Sequence, residues 1–310
     1  LATNKSKHEM TSNNSGGIRS KVTAPNLRSN RLTVISAILL AFIIGLVLAA
    51  PIFQHITSGD AFSVDLFNRY KGPSLGHPIG TDELGRDLLA RLLYGGRVSL
   101  FVGVITALLT ALIGVTIGLS AGFCGGWIDT LLMRTTDSVI ALPLLPLLIV
   151  LAATDLTKLG LPDSLSNSPD ATLYRIVLII SLVGWTTVAR LTRASVLSLR
   201  EREFVLAARS HGASSLKIMF AHILPNSLSP IIVATTLTVG NVILLESVLS
   251  FLGFGIQPPI PTWGNMLTNA QDVIFERPMA AVWPGLFIFM TVISINFLGD
   301  GLRARFDPTI

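Results

Sequence analysis

Six stretches of this chain are apolar for long enough to cross a lipid bilayer, and that fact restricts the fold more than any motif does. A hydrocarbon core of about 30 Å is spanned by roughly 20 helical residues rising 1.5 Å each. Leu32 to Phe53, Val98 to Phe123, Ser227 to Leu252 and Met279 to Leu298 meet this length, the third of them interrupted by Glu246. Ser138 to Thr154 contains Pro143 and Pro146, and Leu173 to Leu197 carries Arg190 and Arg193 in its last turns. Prolines are tolerated in a span where neighbouring helices re-satisfy the freed carbonyls, and arginines near a helix end reach back to the interface. Lipid offers no hydrogen-bond partners, so the backbone must satisfy itself. The pattern predicts an all-α membrane protein with six transmembrane helices, residues 32–310 forming one domain.

Composition agrees. Only 13% of residues are charged, against about 25% in soluble domains, and the mean hydropathy is +0.65. The net charge of +5 is not a nucleic-acid signal here, because in a membrane protein the placement of cations matters more than their sum. If the N-terminus is cytoplasmic, 15 of the 23 Lys and Arg fall in inner segments. This bias predicts cytoplasmic termini, residues 201–225 inside and Ser164 outside. Residues 1–31 are polar and basic and cannot bury enough surface to fold, so a disordered cytoplasmic tail is expected. The sequence "VLAAPIF" offers small residues at a possible cleavage site, but a signal core is about 7–15 residues long and the apolar run here is longer, so an uncleaved span is expected. The single cysteine, Cys124, excludes an internal disulfide and a Cys-rich metal site. The five histidines lack metal-ligand spacing, no G-x-x-x-x-G-K-[ST] loop is present, and no nucleophile is paired with a base. No catalytic or metal-ligating residue is expected, and the chain is not read as an enzyme.

One polar stretch sits between two apolar runs: "EREFVLAARSHGASSLKIMFAHILPN", residues 201–226. Good helix formers run from Glu203 to Ser210, and Gly212 then stands where a helix end favours a left-handed residue. Ser214 and Ser215 are placed to cap a second short helix, expected to stop before Pro225 because the residue before a proline avoids the α region. Phe204, Val205, Leu216, Met219 and Phe220 mix with Arg202, Arg209 and Lys217. Apolar side chains with an arginine rim suit a protein-docking knob, although a basic loop that only enforces topology is the plainer alternative.

The spacing of Ala207-Ala208, Gly212 and Leu224-Pro225 resembles the EAA motif of the permease subunits of binding-protein-dependent ABC importers, with Leu206 where that motif usually holds Glu, Glu203 one turn upstream, and His222 two positions before the final Leu-Pro. "HPIGTDELGRDLLARLLYGGRVSL" (77–100), "ESVLSFLGFGIQPPIPTWGNML" (246–267) and "NFLGDGLRARFDP" (296–308) resemble, in order, signatures of the dipeptide, oligopeptide and nickel branch, and of the second permease of its pair. The likeness covers roughly residues 30–308. It implies a type I ABC importer permease fold in a bacterial inner membrane and a heterodimer with a homologous permease. It also implies two ATP-binding cassette subunits, an extracytoplasmic solute-binding protein, and ATP and Mg used by the partner ATPases, with no cofactor on this chain. Carried onto this sequence, it assigns ATPase coupling to Glu203, Phe204, Ala207, Ala208, Arg209, Gly212, Leu216 and Pro225. The implied cargo is a di- or oligopeptide, with nickel or another small solute as the alternative. A stand-alone secondary transporter or channel fits less well, since such proteins carry several ionisable groups near the bilayer midplane.

"GTDELGRD" invites a metal or phosphate reading, but periodicity favours an amphipathic helix on the outer surface. It would be N-capped by Thr81, with Leu84, Leu88, Leu89, Leu92 and Leu93 on one face and Glu83, Arg86, Asp87 and Arg91 opposite. Gly114, Gly118 and Gly122 recur every four residues, continuing a face of Gly103, Ala107 and Ala111, which predicts close helix packing. Glu246, the acid inside an apolar run, is with Asn241 a candidate for the translocation pathway, expected to face a hydrated outer mouth. Pro258, Pro259 and Pro261 stiffen the following outer loop, a candidate surface for the solute-binding protein.

Overall fold

The computed structural model describes residues 27–57, 60–154, 171–268, 270 and 273–306. The expected tail and Ser164 lie outside the described residues, apart from the tail's last five positions. Among those described, all regular structure is helical apart from one isolated bridge between Thr81 and Asp87. In chain order the helices are α1 (Leu27–Leu48), α2 (Ala50–Thr57), α3 (Leu88–Cys124), α4 (Gly126–Ala141), α5 (Leu144–Ala153), α6 (Ala171–Gly184), α7 (Thr186–Leu199) and α8 (Glu203–Ser210). There follow α9 (Ser215–Lys217), a π-helical segment Ile218–Ile223, α10 (Leu224–Phe251), α11 (Trp263–Thr268) and α12 (Met279–Phe306).

Four continuous helices are long and apolar enough to cross a membrane, and two bent pairs raise the number to six if each pair is one span. The expected run Ser138 to Thr154 is one of the bent pairs: α4 and α5 meet at 87°. The cause is local. Pro143 pushes Leu142 into extended backbone (φ −78°, ψ 136°), and no helix continues through that conformation. The 41° bend between α6 and α7 falls at Gly184–Trp185, and α12 extends beyond the expected Leu298 to Phe306.

The long α3 is the spine. Along one side it meets α7 through the predicted glycine face: a Cβ on Gly118 would stand 2.4 Å from the Ala189 carbonyl oxygen, one on Gly114 2.7 Å from Val188 Cβ, and one on Gly122 2.8 Å from Val196 Cβ. Helix backbones approach this closely only where side chains are absent. On another side Gly103 receives Ile243 of α10, and α1 packs along α12. One apolar core joins Val102, Leu148, Ile176, Ile180, Val242 and Leu249, and a second gathers Ile43, Val47, Leu92, Ile243, Trp263 and Ile295.

Segment 77–91 overturns the surface-helix expectation. Helix α3 begins only at Leu88, capped by Asp87, whose carboxylate accepts from Ala90 N at 2.7 Å. Thr81 is not a cap; its hydroxyl donates to the Asn68 carbonyl and accepts from Lys71 N. Gly85 turns the chain at φ +75°, so residues 82–87 fold back in place of a helix. Of the charges expected to face water, Arg86, Asp87 and Arg91 are buried and Glu83 is half-buried. Asp82 Oδ2 takes Arg86 Nε at 2.7 Å and Arg91 Nε at 3.3 Å, Asp87 meets His77 at 2.9 Å, and Arg91 also reaches the Ala61 carbonyl.

Candidate functional site

Helix α8 ends in a hydrogen-bond pattern that requires its glycine. Gly212 N donates to Arg209 O and Ala213 N donates to Ala208 O, each at 3.0 Å, and Gly212 sits at φ +76°. This is a Schellman closure with glycine in the left-handed position, as the sequence predicts. Ser214 then caps α9, accepting from Lys217 N at 3.4 Å. The second helix does not stop before Pro225. It passes through the π segment directly into α10, with Pro225 in the first turn after that segment, so that its missing N–H falls where the bonding pattern already changes. Residues 215–251 therefore form one continuous span.

The knob stands on a small apolar footing. Val205, Ile218 and Ile223 are buried with Leu119 of α3 and Val196 of α7, so Val205 belongs to the anchor and not to the exposed face. Met219 and Ala208 are half-buried beside them. Phe204 (41% exposed), Leu206 (49%), Leu216 (66%) and Phe220 (58%) point outward. Glu203 lies in the first turn of α8, favourable for the helix dipole, and is exposed, as are Ala207, Gly212 and Pro225. Arg209 is exposed and lies 5.9 Å from the centroid of the Phe123 ring. Of the eight residues assigned to coupling, seven share this exposed end and Ala208 supports them. Four large apolar side chains thus stand uncovered on a two-helix projection.

A groove with a volume of about 870 Å³ opens beside α10, bounded by the α4–α5 elbow, the α6–α7 bend, α3 and the end of α12. Its polar lining includes Thr110, Thr187, Ser229, Thr238, Asn241 and Arg303. Asn241 is exposed on this wall. Glu246 is not: it is fully buried and does not line the groove, so the expectation of a hydrated, cavity-facing carboxylate does not hold. It accepts from Ser250 Oγ at 2.7 Å and Ser99 Oγ at 3.4 Å. The groove is the feature that sequence reasoning missed. Its polar residues are mostly lone Thr and Ser within apolar runs, a signal that helix-capping hydroxyls share, and Thr238 indeed returns its proton to the Ala234 carbonyl.

The groove runs along α10, and the apolar projection stands at the N-terminal end of the same helix. Comparison with known proteins gives the family. The family described as binding-protein-dependent transport system inner membrane component matches residues 114–310. The chain is 39% identical to the dipeptide transport system permease protein DppC of Alkalihalophilus pseudofirmus, covering 91% of this chain and 87% of that one. It is 37% identical to the oligopeptide transport system permease protein OppC of Bacillus subtilis, with the same coverage of both chains. It is 41% identical to the glutathione transport system permease protein GsiD of Shigella flexneri, covering 87% and 84%. The chain belongs to the binding-protein-dependent transport system inner membrane components, the permeases of ABC importers.

Proposed function

We propose that this chain is one of two homologous permeases that together enclose a peptide pathway, driven by separate ATPase subunits seated on residues 201–225. The observation that carries the reading is the outward-facing set Phe204, Leu206, Leu216 and Phe220 on a projection held by its own buried anchor. Such a set gains about 1.5–3 kcal/mol per large side chain once a partner covers it. Its position at the inner end of α10, whose face also lines the groove, lets a push on the knob reach the pathway through one continuous helix. The groove is open on one side, which suits closure by a second permease. ATP and Mg are used in the partner ATPases, and a solute-binding protein delivers cargo from outside. The cytoplasmic placement of the knob and of both termini is supported by the Lys and Arg bias. Peptide cargo is supported by the names of the relatives, which transport dipeptides, oligopeptides and glutathione.

The test is uptake by the assembled system. Vesicles containing this chain, its partner permease and both ATPases, with ATP enclosed, should accumulate a labelled dipeptide or tripeptide only when the peptide-binding protein is supplied outside. Accumulation of labelled nickel in place of peptide would move the chain to the small-solute alternative, and uptake without the ATPases would sink the importer reading.

A further inference from the structure

The buried carboxylate of Glu246 does not line the groove, yet three hydroxyl side chains converge on it. It projects from the last turns of α10 and is 0% exposed. Ser250, one turn on, donates to it; Ser99, from α3, donates to its other oxygen; and the Thr262 side chain is a third hydrogen-bond partner. Two of these hydroxyls then hold the returning outer segment. Ser99 Oγ accepts from Trp263 N at 3.2 Å, and Ser250 Oγ accepts from Ile256 N at 3.1 Å. Trp263 Nε1 donates to the Leu92 carbonyl at 2.9 Å, and Asn265 closes the segment on itself through the Ile256 and Ile260 carbonyls.

Sequence makes this seat possible. Gly95 lies flush with the Thr262 backbone, a Cβ on Gly96 would stand 2.7 Å from the Trp263 ring, and one on Gly264 would stand 2.6 Å from Ser247 Cα. The segment consequently has two sides. Ile256, Thr262 and Trp263 are buried, whereas Gln257, Pro258 and Pro259 are exposed between them. Two successive prolines hold φ near −65° and have no N–H to leave unpaired, so this surface loses little freedom when something binds it. It lies at the far end of α10 from the knob, about 42 Å away at 1.5 Å per residue over 28 residues.

We propose that Glu246 is a positioning residue for the solute-binding protein: its carboxylate clamps residues 255–265 to α3 and α10 and so presents Gln257-Pro258-Pro259 as a preformed docking ridge. The inference rests on the proposed function, which requires a binding protein at the face opposite the ATPases. A buried acid surrounded by hydroxyls is a costly way to fill space and an effective way to select one arrangement of a loop, because every member of such a network must be satisfied together.

The experiment uses the complete reconstituted complex and follows ATP hydrolysis as the peptide-loaded binding protein is titrated. Glu246→Ala is expected to leave hydrolysis without binding protein unchanged and to raise the half-maximal binding-protein concentration about tenfold. Glu246→Gln, which keeps an acceptor oxygen of the same reach, should stay within about threefold of the parent. If Glu246→Ala prevents assembly, Thr262→Val decides: it removes one hydroxyl, keeps the volume and should weaken docking about threefold. An unshifted titration in whichever of these variants assembles overturns the clamp, even if the complex melts at a lower temperature. A parent complex whose hydrolysis ignores the binding protein overturns the importer reading itself, and the docking role with it.

Discussion

The two ends of this molecule use the same residue types in opposite ways. At the end proposed to face outward charge is buried: Asp82, Arg86, Asp87, Arg91 and Glu246 are each no more than 6% exposed and bonded to named partners. At the end proposed to face inward Glu203, Arg209 and Lys217 face solvent, and so do the apolar side chains Phe204, Leu216 and Phe220. The outer cap is a finished structure whose polar groups are consumed internally. The inner knob is unfinished, held by three buried aliphatic residues and presenting apolar area that water does not favour. A cap of the first kind offers a fixed shape. A knob of the second kind acquires its full stability only in a complex.

The largest effect should come from breaking the outer network at its hub. Asp82 serves Arg86, Arg91 and the backbone N–H groups of Leu84 and Arg86. Asp82→Ala strands Arg91, 4% exposed, with a single carbonyl partner, and removing one side of a buried ion pair costs about 3–5 kcal/mol. Thermal unfolding of the purified complex should show a clear loss of stability. An unchanged melting temperature would mean that the outer charges are bystanders and that the contrast with the knob is one of appearance only.

A smaller effect, confined to the other end, is expected at Gly212. A Cβ there meets nothing within 4 Å, so the cost of Gly212→Val is the backbone conformation alone, about 1–2 kcal/mol for a left-handed residue. Membrane levels should be normal, while co-purification with the ATPases and peptide uptake are lost. Gly212→Asn, which tolerates the left-handed region, should restore much of both. Equal binding by the parent and both variants would remove this turn from coupling.

What was legible in the sequence follows the same division. The knob's turn could be read because its determinants are local: Gly212 ends one helix, Ser214 starts the next, and both interactions span only a few residues. That α3 packs closely along its glycine face could be read because a four-residue glycine repeat lets helix backbones approach in lipid, whereas the identity of the neighbour, α7, could not. The outer cap could not. Periodicity placed Arg86 and Arg91 on a wet face, yet Arg86 meets Asp82 across a turn at Gly85 and Arg91 reaches the Ala61 carbonyl, 30 residues away. The same holds for Glu246, buried by a segment that returns from residues 255–265 to meet Ser99, 164 positions before Trp263. The prolines misled in both directions. Pro143, accepted within a span, ends a helix, whereas Pro225, expected to end one, sits in the first turn of the next after a π segment.

The smallest effect tests whether burial, and not charge alone, separates the two ends. Helices α4 and α7 are joined by two ion pairs of the same chemistry. Arg190 meets Asp137 at 2.5 Å with side chains 51% and 60% exposed, while Arg193 grips Asp129 through both Nε and Nη2, at 2.5 and 2.6 Å, with exposures of 33% and 17%. An exposed pair gains little because water screens it and two long side chains must be held still, so the Arg190–Asp137 coupling energy should be below about 0.5 kcal/mol. The bidentate pair presents a planar fork to a carboxylate already held near a helix start, and its coupling should reach about 1 kcal/mol. Double-mutant cycles built from Arg190→Gln with Asp137→Asn, and from Arg193→Gln with Asp129→Asn, measure both terms in the same complex. Raising the salt should erase the first and leave most of the second, since screening acts on charges that water can reach. Equal couplings would show that partial burial adds nothing at this depth, and the stability assigned to the outer network would then have to come from its hydrogen bonds to the backbone and not from its charges.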